Sequence, residues 1–160
     1  MDWLKRVEVA RTEGSIEKAL ELLNKELALR PSDPQVYYLL AWTHDALGKE
    51  RDAASAYEKA IELGLDSEEL RGAYLGLGST YRSLGQYAKS LEVLDGAIGL
   101  YPDYRAFHVF RAMVLHNLGD HAAAAGTLIK QLAETSGDES IQKYKRALLF
   151  YSDKLSEVFE

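Results

Sequence analysis

Glycine recurs along this 160-residue chain at nearly constant spacing, and this period constrains the fold more than any other feature. The dipeptide Leu-Gly closes three amphipathic segments, at Leu47-Gly48, Leu84-Gly85 and Leu118-Gly119. Gly14 closes an earlier segment without the leucine, so that successive glycines are 34, 37 and 34 residues apart. A period near 34 residues is typical of an array of helix–turn–helix units, each of which buries its apolar face against its neighbours.

Small side chains form further columns when the chain is aligned on these glycines. Five residues after each glycine stand Ala19, Ala53, Ser90 and Ala124. Seven residues before each glycine stand Val7, Ala41, Gly78 and Ala112. Small residues let two antiparallel helices approach closely, and a glycine at the turn can adopt the left-handed conformation that ends a helix.

These columns carry a resemblance to a known family. The third unit resembles the tetratricopeptide repeat through Tyr74, Leu77, Gly78, Tyr81, Gly85, Tyr87, Ala97 and Pro102. The second unit is similar through Tyr37, Leu40, Ala41, Gly48, Ala53, Tyr57 and Ala60. The resemblance implies an all-α fold of helix–turn–helix repeats stacked as a right-handed α-solenoid. We expect four repeats over residues 1–136, at about 1–33, 34–67, 68–104 and 105–136.

Two arginines depart from the family pattern. Arg6 and Arg111 stand in columns that the repeat normally fills with leucine. Burying an unpaired guanidinium is costly, so each must either be open to solvent or have a carboxylate partner. The residues themselves leave both alternatives open.

Aspartates and prolines indicate where helices begin. Asp33-Pro34 and Pro102-Asp103 predict fresh starts, with aspartate as the cap and proline in the first turn. Asp66 has capping-box spacing to Glu69, and the three extra residues there predict a longer loop or an extra helical turn.

The segment 137–160 lies outside the repeat and is expected to form a C-terminal capping helix that begins at Asp138. A solenoid needs such an element to cover its last exposed face. Phe150 lies on the opposite side of this helix, which predicts a contact with a partner or a second copy. The expected apolar stripe is Ile141, Tyr144, Leu148, Tyr151, Leu155 and Val158.

Composition and charge exclude several classes of function. The formal net charge is −6 and no Lys/Arg run exceeds two residues, so no nucleic-acid partner is expected. No apolar run approaches the roughly 18 residues that span a bilayer, so no membrane segment is expected. The first residues lack the apolar core of a secretory signal, and a cytoplasmic location is expected.

No catalytic or cofactor site is predicted. The stretch GLGSTYRSLG, from Gly76 to Gly85, offers glycines and hydroxyls but lacks the preceding strand and the further glycine of a phosphate-binding loop. No nucleophile–base pattern is present, so we expect a protein that is not an enzyme and binds no cofactor or metal. A metal or enzymatic site near His116 and His121, which flank a turn, is the less favoured alternative.

The resemblance implies that the first helix of each repeat lines a concave groove that binds protein or peptide. By repeat offset, the groove-facing positions include Glu8, Arg11, Leu39, Asp45 and His116. Gly76 is expected to let a ligand backbone come close. The predicted peptide-binding residues are Leu4, Tyr38, Trp42, Leu75, Gly76, Ser79, Arg82, Val109, Phe110 and Met113.

The expected function is a non-enzymatic interaction scaffold that binds an apolar helical or extended segment, because exposed aromatics suit binding hot spots. The Lys, Asn and Arg clamp with which chaperone-binding members hold a C-terminal carboxylate is absent. Arg82 is the central cation expected to orient an acidic group. The alternative is a homodimer that forms through the groove or through Phe150.

Overall fold

The computed structural model describes residues 2–160, and over that range the chain is helical and contains no β-strand. Its helices form two compact units, one ending at Gln86 and the other beginning at Tyr87. The all-α prediction is confirmed. The helices are α1 (Trp3–Thr12), α2 (Ile16–Leu29), α3 (Pro34–Ala46), α4 (Glu50–Leu63), α5 (Ser67–Ser83), α6 (Tyr87–Leu100), α7 (Arg105–Asn117), α8 (His121–Thr135), α9 (Glu139–Lys143) and α10 (Lys145–Tyr151).

The first unit contains α1 to α5, in which each helix packs against the next along the chain. Helices α3 and α5, which are the first helices of the second and third repeats, are also in direct contact. Ala19 and Ala53, from the predicted small-residue column, are fully buried, and the apolar side chains of Val7, Leu23 and Val36 fill the space between the helices. Close approach at small residues therefore builds this core.

The second unit contains α6 to α10. Helix α7 packs against α6 and α8, and α10 packs against α8. Its fully buried side chains include those of Leu94, Ala97, Phe107, Val114 and Ala133. None of the helices in residues 2–160 is long and apolar enough to cross a membrane.

Glycine ends the helices at the predicted turns. Gly14, Gly48, Gly85 and Gly119 all have positive φ angles, between 66° and 88°. A side chain is strained in this region and glycine is not. At the second turn the amide of Lys49 donates to the His44 carbonyl, which satisfies one of the last carbonyls of α3.

Three aspartates cap helices where the sequence predicts a helix start, and Asp120 also caps α8. Asp33 accepts from the Gln35 amide, with Pro34 in the first turn, and Asp66 accepts from the amides of residues 68 and 69. Asp138 likewise caps α9. The extra residues before the third repeat lengthen α5 to 17 residues.

The predicted start at Pro102-Asp103 is wrong. Helix α7 begins at Arg105, and its N-cap is Tyr104, which makes no side-chain capping bond. The Tyr104 amide donates to the Tyr101 carbonyl in a turn, and the Tyr104 ring packs 4.8 Å from that of Phe107. Aromatic packing, instead of an aspartate cap, fixes this helix start.

The C-terminal segment is not one continuous helix. Helical structure is limited to α9 and α10 and ends at Tyr151. The Ser152 hydroxyl donates to the Leu149 carbonyl. The predicted stripe is consequently interrupted, and four of its members are exposed: Tyr144, Tyr151, Leu155 and Val158.

Of the two arginines in leucine columns, one is open to solvent and the other has a carboxylate partner. Arg6 is exposed on α1. The Nε of Arg111 lies 2.5 Å from a carboxylate oxygen of Asp95, in an ion pair between α7 and α6. Neither position therefore buries an unpaired charge.

Candidate functional site

The first unit carries an exposed tryptophan on α3. The Trp42 side chain is 52% exposed, and the guanidinium carbon of Arg11 lies 3.3 Å from the centre of its ring. This distance places the Arg11 cation against the ring face, where the π-electrons attract it. We call the set Arg11, Tyr38, Trp42, Asp45 and Tyr57 the aromatic site.

Asp45 is the acidic member of the aromatic site. The Tyr57 hydroxyl donates to one of its carboxylate oxygens at 2.9 Å, and the Thr80 hydroxyl lies 3.0 Å from the other. Burial raises the pKa of the Asp45 carboxyl, and the bonds from Tyr57 and Thr80 lower it by less. Burial likewise raises the pKa of Tyr57 far above its usual value.

The Thr80 hydroxyl is shared between two acceptors. It has one proton, and both the Asp45 carboxyl and the Gly76 carbonyl, at 2.8 Å, lie within hydrogen-bond distance. The bond from Thr80 therefore offsets only part of the effect of burial on Asp45.

Two glycines of α5 make room for the tyrosines of the aromatic site. A side-chain carbon on Gly76 would lie 2.3 Å from the Tyr57 ring, and one on Gly72 would lie 2.2 Å from the Tyr38 hydroxyl. The rings of Tyr38 and Tyr57 are 6.3 Å apart and tilted by 54°. The expectation that the Gly76 gap admits a ligand backbone is corrected, because the Tyr57 ring already occupies that space.

Arg11 carries a charge with no acceptor among the residues that the structure describes. Its nearest acidic neighbour on α1, Glu8, is exposed and forms no ion pair with it. Burial lowers the pKa of Arg11. The nearby hydroxyls of Tyr38 and Tyr57 and the charge of Glu8 raise this pKa, but by less. The guanidinium is thus partly desolvated and keeps its hydrogen-bond donors available.

The other predicted binding residues lie in both units. In the first unit Leu4, Leu75, Ser79 and Arg82 are half-buried. On α7 of the second unit Val109 and Phe110 are half-buried and Met113 is exposed. Among the predicted binding residues, Tyr38 and Gly76 both lie against the Tyr57 ring. Trp42 lies against the guanidinium of Arg11.

Sequence reasoning missed three members of this region: Tyr57, Gly72 and Thr80. Tyr57 belongs to a second helix, and its column elsewhere holds leucine, so it was interpreted as packing. It is 2% exposed, yet its hydroxyl reaches Asp45. The available signal was the polar hydroxyl in a leucine column, because a buried Tyr hydroxyl needs a partner.

The histidine pair of the second unit does come together. The Nδ1 atoms of His116 and His121 are 3.0 Å apart, and their rings are 4.7 Å apart. Within residues 2–160 no group of three or more metal-binding side chains accompanies them. A hydrogen bond in which one ring nitrogen donates and the other accepts accounts for this distance.

An aromatic cluster lies at the C-terminal end of the second unit. The ring of Phe150 is 5.1 Å from that of Tyr151 and 6.0 Å from that of Phe159, and all three remain about half exposed. The Lys154 ammonium lies 4.8 Å from the centre of the Phe150 ring. We call Phe150, Tyr151 and Phe159 the C-terminal aromatic cluster.

Comparison with known proteins identifies relatives of this architecture. The family model described as Tetratrico peptide repeat matches residues 34–155. Superkiller protein 3 of Saccharomyces cerevisiae is 28% identical over 94 residues, which are 59% of this chain and only 6% of that protein. This chain therefore matches a small part of that relative's length.

Solved structures share the fold at low sequence identity. The crystal structure of the MamA protein superposes with a TM-score of 0.69 at 20% identity, covering 99% of this chain and 77% of that one. YrrB, described as a TPR protein with an unusual peptide-binding site, superposes with a TM-score of 0.66 at 18% identity, covering 97% and 86%. At these identities the likeness concerns the fold.

Proposed function

The chain belongs to the tetratricopeptide repeat family, and we propose that it is a non-catalytic module that binds an apolar helical or extended peptide segment. The binding surface is the face of α1, α3 and α5 in the first unit, with the aromatic site as its centre. Proteins of this family serve generally as scaffolds for protein–protein interaction, which supports a partner of this class.

The observation that carries this proposal is the exposure of Trp42. A tryptophan is costly to leave in water, and this one is 52% exposed although other residues of the same helix, such as Leu39, Leu40 and Ala41, are buried. Arg11 holds the ring from one side, so little conformational entropy is lost when a ligand packs on the remainder. Large, pre-ordered aromatics of this kind are the usual hot spots of binding surfaces.

The test is a selection of peptides with the whole protein as bait. A random 12-residue peptide library displayed on phage is selected against the wild type and, in parallel, against Trp42→Ala. We expect sequences rich in apolar residues that bind the wild type and bind Trp42→Ala about tenfold or more weakly, since hot-spot truncation costs at least about 2 kcal/mol.

The control is Leu29→Ala, which removes another exposed apolar side chain, at the end of α2. Circular dichroism verifies that both variants keep their helicity. Peptides that bind both variants as well as the wild type would contradict a role for Trp42. A library that yields no specific binder would contradict peptide binding itself.

Self-association through the C-terminal aromatic cluster is a second candidate function. It is supported by three adjacent aromatic rings that are each about half exposed at the end of the second unit. Monomeric proteins rarely leave contiguous apolar patches of this kind in water. Scattering mass measured over a range of concentrations tests it, and a constant monomer mass would contradict it.

A further inference from the structure

Arg11 lies at the centre of the proposed binding surface, where it stacks on Trp42 but has no hydrogen-bond acceptor or ion-pair partner among the described residues. The half-buried carboxyl of the aromatic site, Asp45, already has both oxygens within hydrogen-bond distance of Tyr57 and Thr80. No ion pair links Glu8 to Arg11 among the described residues, although they stand three positions apart on α1. In the unbound protein the Trp42 ring and the charge of Glu8 act on this guanidinium, but no carboxylate is paired with it.

The stacking of Arg11 on Trp42 fixes how its donors are presented. When a guanidinium lies against an aromatic ring, the flat face of the guanidinium contacts the ring. Its five N–H groups then point outward in the plane of the guanidinium. The 3.3 Å separation orders this plane before any ligand arrives. A planar fork of donors held in this way matches the two oxygens of a carboxylate.

We propose that Arg11 binds an aspartate or glutamate side chain of the peptide, next to an apolar residue that packs on Trp42. This inference rests on the proposed function and specifies its ligand as a peptide in which an acidic residue neighbours an apolar one. This proposal gives the recognition of the acidic group to Arg11 of α1, whereas the sequence alone pointed to Arg82 for that role.

Charge favours a carboxylate over a phosphate at this site. One guanidinium balances one negative charge, whereas a phosphate group carries about 1.5 to 2. The nearest other charged group that acts on Arg11 is the acidic Glu8, and the chain as a whole has a net charge of −6. A second negative charge would therefore be left unpaired in an acidic surrounding.

The experiment uses the phage-selected peptides and synthetic versions of them. We expect aspartate or glutamate to be enriched at one position beside the apolar anchor. Replacing it by asparagine or glutamine in the synthetic peptide lowers affinity for the wild type about 10- to 100-fold, which is the range for a lost hydrogen bond to a charged group. Arg11→Gln produces the same loss, and the acidic and amide peptides then bind that variant equally.

Arg6→Gln is the matched control, because Arg6 lies on the same helix, is exposed, and gives the same change of charge. Arg11→Lys keeps the charge but loses the planar fork, and we expect an intermediate affinity. The peptide substitutions leave the protein untouched, so they remain decisive if Arg11→Gln perturbs the fold.

The outcomes separate this inference from the proposed function. Peptides that depend on Trp42 but show no acidic preference, or equal effects of Arg11→Gln and Arg6→Gln, overturn the inference and leave the binding surface intact. Tighter, Arg11-dependent binding of phosphoserine in place of the acidic residue overturns the choice of carboxylate. A selection without any specific peptide overturns both.

Discussion

Asp45 illustrates at the residue scale how burial and hydrogen bonding act on one carboxyl group in opposite directions. Burial disfavours the charged form and dominates, so the pKa of Asp45 is raised, while Tyr57 and Thr80 stabilise the charge in part. Glu50 raises the pKa further and His44 lowers it. The group is therefore easier to protonate in the folded protein than in the unfolded chain.

Substitution Asp45→Asn tests this direction through the pH dependence of stability. The folded state holds the Asp45 proton more tightly than the unfolded state, so this group's stabilising contribution is present at low pH. It is lost as pH rises from about 4, the unfolded value, through the raised folded pKa. Asparagine cannot ionise, so we expect the variant to gain stability relative to the wild type over that window.

Urea unfolding of both proteins from pH 3.5 to 7.5 measures this difference. The exposed acidic groups with lowered pKa, at Glu134, Asp138 and Asp153, are common to both proteins and cancel. A difference in the free energy of unfolding that stays constant with pH would contradict a raised pKa. At the lowest pH the two proteins should agree within about 1 kcal/mol, because the amide keeps one acceptor and gains a donor.

Gly76 is required by the Tyr57 ring, and Gly76→Ala tests that requirement. The new methyl carbon would lie 2.3 Å from the ring, which is 2% exposed and bonded to Asp45, so the ring has to move. We expect a loss of about 1–3 kcal/mol from overpacking, against a helix-propensity gain of at most about 1 kcal/mol.

Gly96→Ala provides a control of opposite sign. Gly96 lies within α6, and a side-chain carbon there meets nothing within 4 Å. We expect stabilisation by about 0.5–1 kcal/mol from helix propensity alone. Thermal unfolding of the two variants measures both effects, and a stabilised Gly76→Ala would show that the Tyr57 ring is not held in place.

At the scale of elements, the contact of α8 with the chain after α10 depends on one glycine. A side-chain carbon on Gly126 would lie 1.9 Å from the backbone carbonyl oxygen of Ser152. The same segment and α8 enclose a cavity of roughly 500 Å³, lined among others by Thr127 and Leu155. A backbone atom cannot turn aside as a side chain can, so the whole segment must move to make room.

Gly126→Ala is therefore expected to detach residues 152–160 from α8 while helices α6 to α8 remain folded. Hydrogen exchange measured by mass spectrometry should show faster exchange after Leu148 and unchanged exchange in α7. Gly96→Ala again serves as the control, because it makes the same chemical change in open space. Unchanged exchange in the C-terminal segment would contradict this contact.

The assembly of the whole molecule is tested through the C-terminal aromatic cluster. If two copies associate there, Phe150→Ser removes a half-exposed ring from the contact and weakens association about tenfold or more. Leu29→Ser, at a more exposed apolar position on α2, should leave association unchanged. Sedimentation velocity at several concentrations measures both, and equal behaviour of the two variants would exclude the cluster as the contact.

The sequence by itself determined the repeat architecture. The glycine period, the small-residue columns and the aspartate caps predicted the all-α fold, and the turns at Gly14, Gly48, Gly85 and Gly119 are confirmed. These features are readable because a positive φ or a capping bond depends on residues within one turn of each other. The start of α7 was wrong because the packing of the Tyr104 ring on Phe107, which the proline and aspartate pattern does not reveal, marks this start instead of an aspartate cap.

Only the tertiary structure decided what fills the spaces between helices. That Tyr57 of α4 occupies the gap at Gly76 of α5 and bonds Asp45 of α3 depends on three helices meeting at one point. The sequence placed Arg11 and Trp42 on one surface, but their stacking depends on the separation of α1 and α3. A glycine in a sequence thus predicts a space, and the packing of neighbouring elements determines whether a ligand or the protein's own side chain takes it.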